Sequence, residues 1–257
     1  MRQLVHFGVA VLVTVTLCAP AAAESLDLDL YDDLLDRHTK VVGDLARTRV
    51  DYVAIANDSN WKKLVASLAA SKLAELAGEP EERAFWINAY NILAIDLVAD
   101  HYPLESIRDI GSLFSPVWKK PAGLIDGESY SLDDIEHGIV RSMGDPRAHA
   151  AVICASTSCP ALRREAFRAA KLDKQLDDAM RRWMADPGKG LSIDRARLQI
   201  TLSKVFDWFA EDFDAVGGAV AFVARYAKEE DRKWLVENAS RASVRYFEYD
   251  WRVNAAR

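Results

Sequence analysis

Apolar residues recur at spacings of three and four from Tyr31 to Leu76, through LYDDLLDRHTKVVGDL and then NWKKLVASLAASKLAEL. That period predicts amphipathic helices. Gly78 and Pro80 close the second and open a third, EERAFWINAYNILAIDLVADHY. From Phe85 to Val98 this third segment is apolar on nearly every side, so it is expected as the buried central helix. The pattern then changes. VWKKPAGLIDGESYSL places two short runs around Asp126-Gly127, a dipeptide suited to a tight hairpin turn. Ser131 heads the next helix, LDDIEHGIVRSM, with Asp134 as its capping-box partner and Gly144 as its stop. His149 to Cys154 reads as a short strand and Leu172 to Met184 as a helix. LSIDRARLQITL predicts a second hairpin, Ser203 caps a helix over VFDWFAEDF, two more helices come after it, and YFEYDWRVN is extended. Long helices with a few antiparallel strands make the class α+β. The expectation is a predominantly helical single domain over residues 24–257, with a central buried helix and a small antiparallel sheet. Strand–helix alternation with Gly-rich loops is missing, which sets a nucleotide-binding fold aside.

The N-terminus changes the picture by suggesting a compartment. Residues 1–23 carry one basic residue, Arg2, an apolar run from Phe7 to Leu17, and Ala21 and Ala23 in an A-x-A pattern. This predicts a secretory signal peptide cleaved after Ala23. The apolar run is shorter than the roughly 20 residues that span a bilayer, so no stable membrane insertion is expected after cleavage. The expected product is secreted or periplasmic. Loss of Arg2 moves the formal charge from −6 to −7. Binding to a phosphate backbone needs clustered Lys and Arg, so nucleic acid is not the expected partner. The expected ligand is a small molecule or a peptide. Half of the residues are hydrophobic, enough for a sizeable core.

Candidate chemistry gathers in two places. Within SLDDIEHGIVRSM, Leu132, Ile135, Ile139, Val140 and Met143 form one stripe of a helix, with Glu136 in its middle and His137 at its flank, one turn after Asp133. A carboxylate facing the core is costly unless paired, so Glu136 predicts either a structural ion pair, for instance with Arg163, or a functional group. Asn88 and Asn91 share a face of the central helix, and buried amides of this kind fix backbone segments or line a site. The second place is HAAVICASTSCPALRR, from His149 to Arg164. On a strand Cys154 would share a face with Val152 and His149 would point away, leaving His137 as the nearest base in sequence. The turn Ser156–Ser158 offers N–H groups to an oxyanion, and a helix starting at Pro160, with Arg163 and Arg164 near, would lower the pKa of a thiol. In an oxidising compartment, however, two cysteines this close in sequence usually pair, so a Cys154–Cys159 disulfide is expected ahead of a free thiol. The sequence has no regularly spaced Cys or His ligands for zinc, so neither a metal nor another cofactor is expected.

Four ordered motifs together resemble domain of unknown function 547: FWINAYN from Phe85, SLDDIEHGIVR from Ser131, the segment from His149 to Pro160 with its two cysteines, and YDWRVN from Tyr249. The resemblance runs from about Val50 to the C-terminus. It implies a family of bacterial exported proteins and of plant proteins with leucine zippers, and it highlights Asn88, Asn91, Glu136, His137, His149, Cys154, Cys159 and Asp250. The zipper is absent here, so no coiled-coil partner carries over. The family implies no settled activity, and two functions stand side by side. One is a thiol-dependent hydrolase or acyl transferase, with Cys154 as nucleophile, His137 as base and Glu136 organising the site. The other is a non-catalytic binding module stiffened by a Cys154–Cys159 bridge.

Overall fold

The computed structural model describes residues 26–112 and 114–256. The expected signal peptide and its cleavage site lie outside the described residues. Asp27 caps the first helix, α1 (Leu28–His38), by accepting from the Leu30 N–H. The helical period overshoots here. The chain turns at Thr39 into a short antiparallel hairpin, β1 (Thr39–Val41) and β2 (Thr48–Val50), where a longer helix was predicted. Two helices, α2 (Tyr52–Asn57) and α3 (Ser59–Ala70), precede the central one, α4 (Glu79–His101). Fifteen of the 23 residues of α4 are buried, including Asn88 and Asn91, as its all-round apolar pattern requires. Among the described residues no helix is long and apolar enough to cross a membrane.

The hairpin around Asp126-Gly127 forms as β3 (Pro121–Ile125) and β4 (Glu128–Ser131). Ser131 and Asp134 cap the next helix, the Asp134 N–H donating to Ser131 Oγ and the Ser131 N–H to Asp134 Oδ2. That helix is not a regular α-helix. Asp134–Val140 is a π-helix, closed by the Arg141 N–H donating to the Glu136 carbonyl five residues back. The predicted strand His149–Cys154 is replaced by a 3₁₀ turn, Pro146–Ala150, and an irregular run. The run is apolar and buried, but its backbone is satisfied otherwise than by a strand partner. Asn91 Nδ2 donates to the Ala151 carbonyl, the Ile153 N–H donates to Asn91 Oδ1, and the Val152 N–H reaches the Ala148 carbonyl. Nor does a helix begin at Pro160.

Downstream, α5 (Leu172–Met184) leads to the second hairpin, β5 (Leu191–Asp194) and β6 (Gln199–Leu202). The helix predicted over VFDWFAEDF breaks at Phe209, whose φ −115°, ψ 34° is not helical, into α6 (Val205–Trp208) and α7 (Ala210–Asp214). After α8 (Ala219–Ala224) and α9 (Glu229–Asn238), strand β7 (Ser243–Tyr246) joins β6 in parallel, so the sheet is not purely antiparallel. The α+β class with predominant helix holds. Buried apolar residues fall into two clusters, one around α4 and one under the three-stranded sheet and α6–α8. The extended tail bridges Val50, Ser106 and Ser156 through Ala255, Arg252 and Val253. That tail carries Tyr249 and Trp251 to the site.

Candidate functional site

Cys154 and Cys159 are both free thiols. The run before them is pinned by Asn91, and Ala155 comes next with φ 60°, a conformation that is rare for a non-glycine residue and brings the chain sharply back. Cys159 Sγ therefore lies 2.8 Å from Cys154 Sγ and also accepts the Cys154 N–H at 3.0 Å. The hydroxyls of Ser156 and Tyr249 stand 3.1 and 3.2 Å from the Cys154 sulfur and 3.0 Å from each other. The Cys159 thiol is the largest influence on Cys154. Burial opposes it, Ser156 and Tyr249 assist it, and together they bring the Cys154 pKa down to about 7. Burial, then the neighbouring Cys154, push the Cys159 thiol well above its usual value. One sulfur is thus poised to be a thiolate, half-buried, and the other is a buried proton donor.

The expected causes of that lowering are not the ones present. Arg163 pairs with Glu165 and Asp178, and Arg164 with Asp36, so neither faces the thiol and Arg163 does not pair with Glu136. The nearby buried cation is Lys189, whose ammonium donates to the carbonyls of Ala46, Thr157 and Cys159. Burial lowers its pKa to about 8, with Cys159 and Asp186 opposing. The Ser156–Ser158 turn is also committed. The Thr157 and Ser158 N–H groups donate to the carbonyls of Arg252 and Asp250 in the tail, and the Ser156 N–H faces the Cys154 sulfur. No free pair of N–H groups is left in this turn for an oxyanion.

The two histidines occupy different settings. His137 is exposed on the π-helix, with Nε2 3.8 Å from Asp133 and Nδ1 2.6 Å from an Arg141 nitrogen. A guanidinium only donates, so the Nδ1 lone pair is occupied and Nε2 carries the hydrogen. His149 is buried, with Nε2 2.8 Å from Asp212 Oδ2, and its ring packs on Phe209 at 4.4 Å. Arg141 binds both oxygens of Asp212 at 2.7 and 2.8 Å. Burial alone would raise the Asp212 carboxyl, but His149 and Arg141 hold it well below the usual carboxylate range. Because the residues around His149 are not a strand, its side chain does not leave by an opposite face. It lines the same cavity as Cys154.

That cavity has a volume of about 330 Å³. Glu136, His137, His149, Cys154 and Cys159 all line it, as do six aromatic side chains, among them Tyr90, Trp118 and Trp208. Glu136 is half-buried and accepts the Tyr90 hydroxyl at 3.0 Å. Asn88 and Asn91 stay out of the cavity. Asn88 exchanges two hydrogen bonds with the backbone of Phe167, as Asn91 does with Ala151 and Ile153. Asp250 offers its carboxylate to Arg252, and only its backbone touches the site turn, through Ser158. Among the described residues no group of three or more His, Cys, Asp or Glu side chains is arranged to hold a metal ion.

Sequence reasoning missed Tyr249, Asp212 and Lys189. Tyr249 belongs to the tail motif already noted, but its contact with a residue 95 positions earlier has no local signal. Asp212 gave no more than an acid among aromatics. Lys189 did leave a signal, since it lies between Gly188 and Gly190. A Cβ on Gly190 would meet the Trp183 carbonyl, which marks a close backbone approach.

No curated protein and no solved structure compared with the chain gives a match. The model of one family, described as protein of unknown function DUF547, matches residues 73–184. The matched stretch contains α4, the π-helix and both cysteines, and ends before the aromatic tail. Over residues 73–184 the chain is therefore similar to the DUF547 family.

Proposed function

We propose that the protein is an exported thiol-dependent hydrolase or acyl transferase with Cys154 as its nucleophile. One observation carries the reading: the Cys154 sulfur lines the 330 Å³ cavity with a pKa of about 7, while Cys159 beside it stays protonated. The thiolate attacks an ester or amide carbonyl, forming an S–C bond. The leaving group takes a proton as the C–O or C–N bond breaks, and water or a second acceptor then releases the acyl group. We assign the proton transfers to His149 in place of His137, because Asp212 orients its ring and leaves Nδ1 open. Glu136, with Tyr90, forms the polar wall. With the turn N–H groups engaged, the hydroxyls of Ser156 and Tyr249 stand with the Cys159 thiol as the side-chain donors at the reacting sulfur.

Iodoacetamide labelling with subsequent peptide mapping tests this. Cys154 is expected to label with a rate half-maximal near pH 7, and Cys159 not at all. A Cys154 that labels only in the ordinary thiol range, about pH 8.5, sinks the assignment. A second reading, the bridge-stiffened binding module, rests on the 2.8 Å between the sulfurs, a small movement from the roughly 2.05 Å of a disulfide. Non-reducing mapping of protein from its own compartment separates the two, a quantitative bridge favouring the module. Export is tested by mass spectrometry, which should find a chain beginning at Glu24.

A further inference from the structure

The cavity is unusual in the chemistry of its walls. Four of its six aromatic side chains, Trp118, Trp208, Tyr249 and Trp251, pack on one another, while Tyr90 bonds Glu136 and Phe209 packs on His149. Trp208 stacks on Trp251 at 5.4 Å and packs on Tyr249 at 4.7 Å, and Trp118 meets Trp251 at 6.2 Å. Two carboxylates line the same cavity, Asp133 just before the π-helix and Glu136 on it. One oxygen of Glu136 accepts from Tyr90, and among the described residues the other has no protein donor. Among the described residues neither lysine nor arginine lines the cavity. Two arginines meet rings of its lining without themselves lining it. Arg141 is neutralised by Asp212 and covers Phe209 at 4.9 Å, and Arg108 covers Trp251 at 5.1 Å from a neighbouring groove. Two rings of the box thus already accept a guanidinium on a face.

Aromatic faces carry negative quadrupole charge and attract cations, most strongly where water is excluded. Carboxylates add full negative charge to the same space. A cavity of this size holds a small organic ligand. We infer that the cavity recognises an organic cation, an ammonium or guanidinium group on an apolar body, with the charge held between the tryptophan box and Glu136. This rests on the same cavity as the proposed thiol chemistry and specifies the substrate class for it: compounds whose ester or amide lies within reach of a positively charged group. Anionic substrates meet Asp133, Glu136 and a Cys154 thiolate, and are disfavoured.

The test is binding, so that it does not depend on catalysis. Benzyltrimethylammonium, benzyl alcohol and benzoate share one ring and differ in charge. Each is titrated into the full-length protein carrying Cys154→Ser, with binding read by calorimetry and tryptophan fluorescence. The cation should bind at least tenfold more tightly than either of the others. Glu136→Gln, which keeps an acceptor for Tyr90, should weaken the cation by threefold or more and leave benzyl alcohol unchanged. Trp208→Ala, at a side chain 44% exposed and therefore safe for folding, should weaken it likewise. Equal affinities, tighter benzoate, or indifference to both substitutions overturns the inference. Cation binding beside an unreactive Cys154 in the unmodified chain would leave this inference standing and remove the thiol enzyme. A reactive Cys154 without charge preference does the reverse.

Discussion

Cys154 and Cys159 share a side chain and differ in surroundings. Cys154 is reached by three side-chain donors and the Ser156 N–H, whereas Cys159 receives one backbone N–H and is otherwise enclosed. Hydrogen bonds to the charged form favour it and burial disfavours it, so the two pKa values separate. Tyr249→Phe removes one donor, and the pH midpoint of Cys154 alkylation should rise by roughly half a unit to one unit. Cys159→Ala removes the strongest one and should raise it further. Both are read from alkylation rates between pH 6 and 10. Asn91 shows the structural side of the same scale. Asn91→Ala leaves the Ala151 carbonyl and the Ile153 N–H buried without partners, and should cost about 2–4 kcal/mol in denaturant unfolding. The sequence made this residue legible, because a polar amide on an all-apolar helix needs a reason. It did not reveal that the amide replaces the strand expected over His149–Cys154.

Among elements the π-helix matters most. Single-turn π-helices mark functional sites because they displace side chains from the α-helical phase. Glu136, His137 and Arg141 all sit on or directly after Asp134–Val140. Arg141 reaches Asp212, which holds His149, so the phase of this helix is linked to the histidine wall. Gly138 is exposed there, and a Cβ on it would meet nothing within 4 Å. Gly138→Ala should therefore stabilise the protein by about 0.5–1 kcal/mol, measured as a raised midpoint in urea. A loss would mean that the π turn needs the glycine. Apolar spacing shows that a helix lies here but not its winding.

For the molecule as a whole, pH dependence carries a signature of buried charge. Burial raises the Asp96 pKa to about 6, against the hydrogen bond from Trp61 Nε1 at 2.9 Å and with help from the Asp100 charge. The folded state thus binds this proton more tightly than the unfolded chain, whose value is near 4. The contribution is fully present below about pH 4 and is lost as pH rises through 6, so at neutral pH the ionised carboxylate costs stability. Asp96→Asn keeps an acceptor for Trp61. It should raise stability at pH 7.5 by roughly 1–2 kcal/mol, and the difference from the parent should close as pH approaches 4. Thermal melts across that range decide it. A constant difference would place the cause in packing.

Local forces determined what the sequence could announce alone. The hairpin turn at Asp126-Gly127, the Ser131–Asp134 cap and the burial of α4 depend on neighbours within a few positions, and each is present as the spacing indicates. Tertiary structure decided the rest of the candidate site. Tyr249 meets Cys154 across 95 residues, Asp212 meets His149 across 63, and Lys189 reaches the Cys159 carbonyl across 30. Such contacts leave no periodicity behind them, because what fixes them is the unmet hydrogen-bonding need of groups that the core brings together.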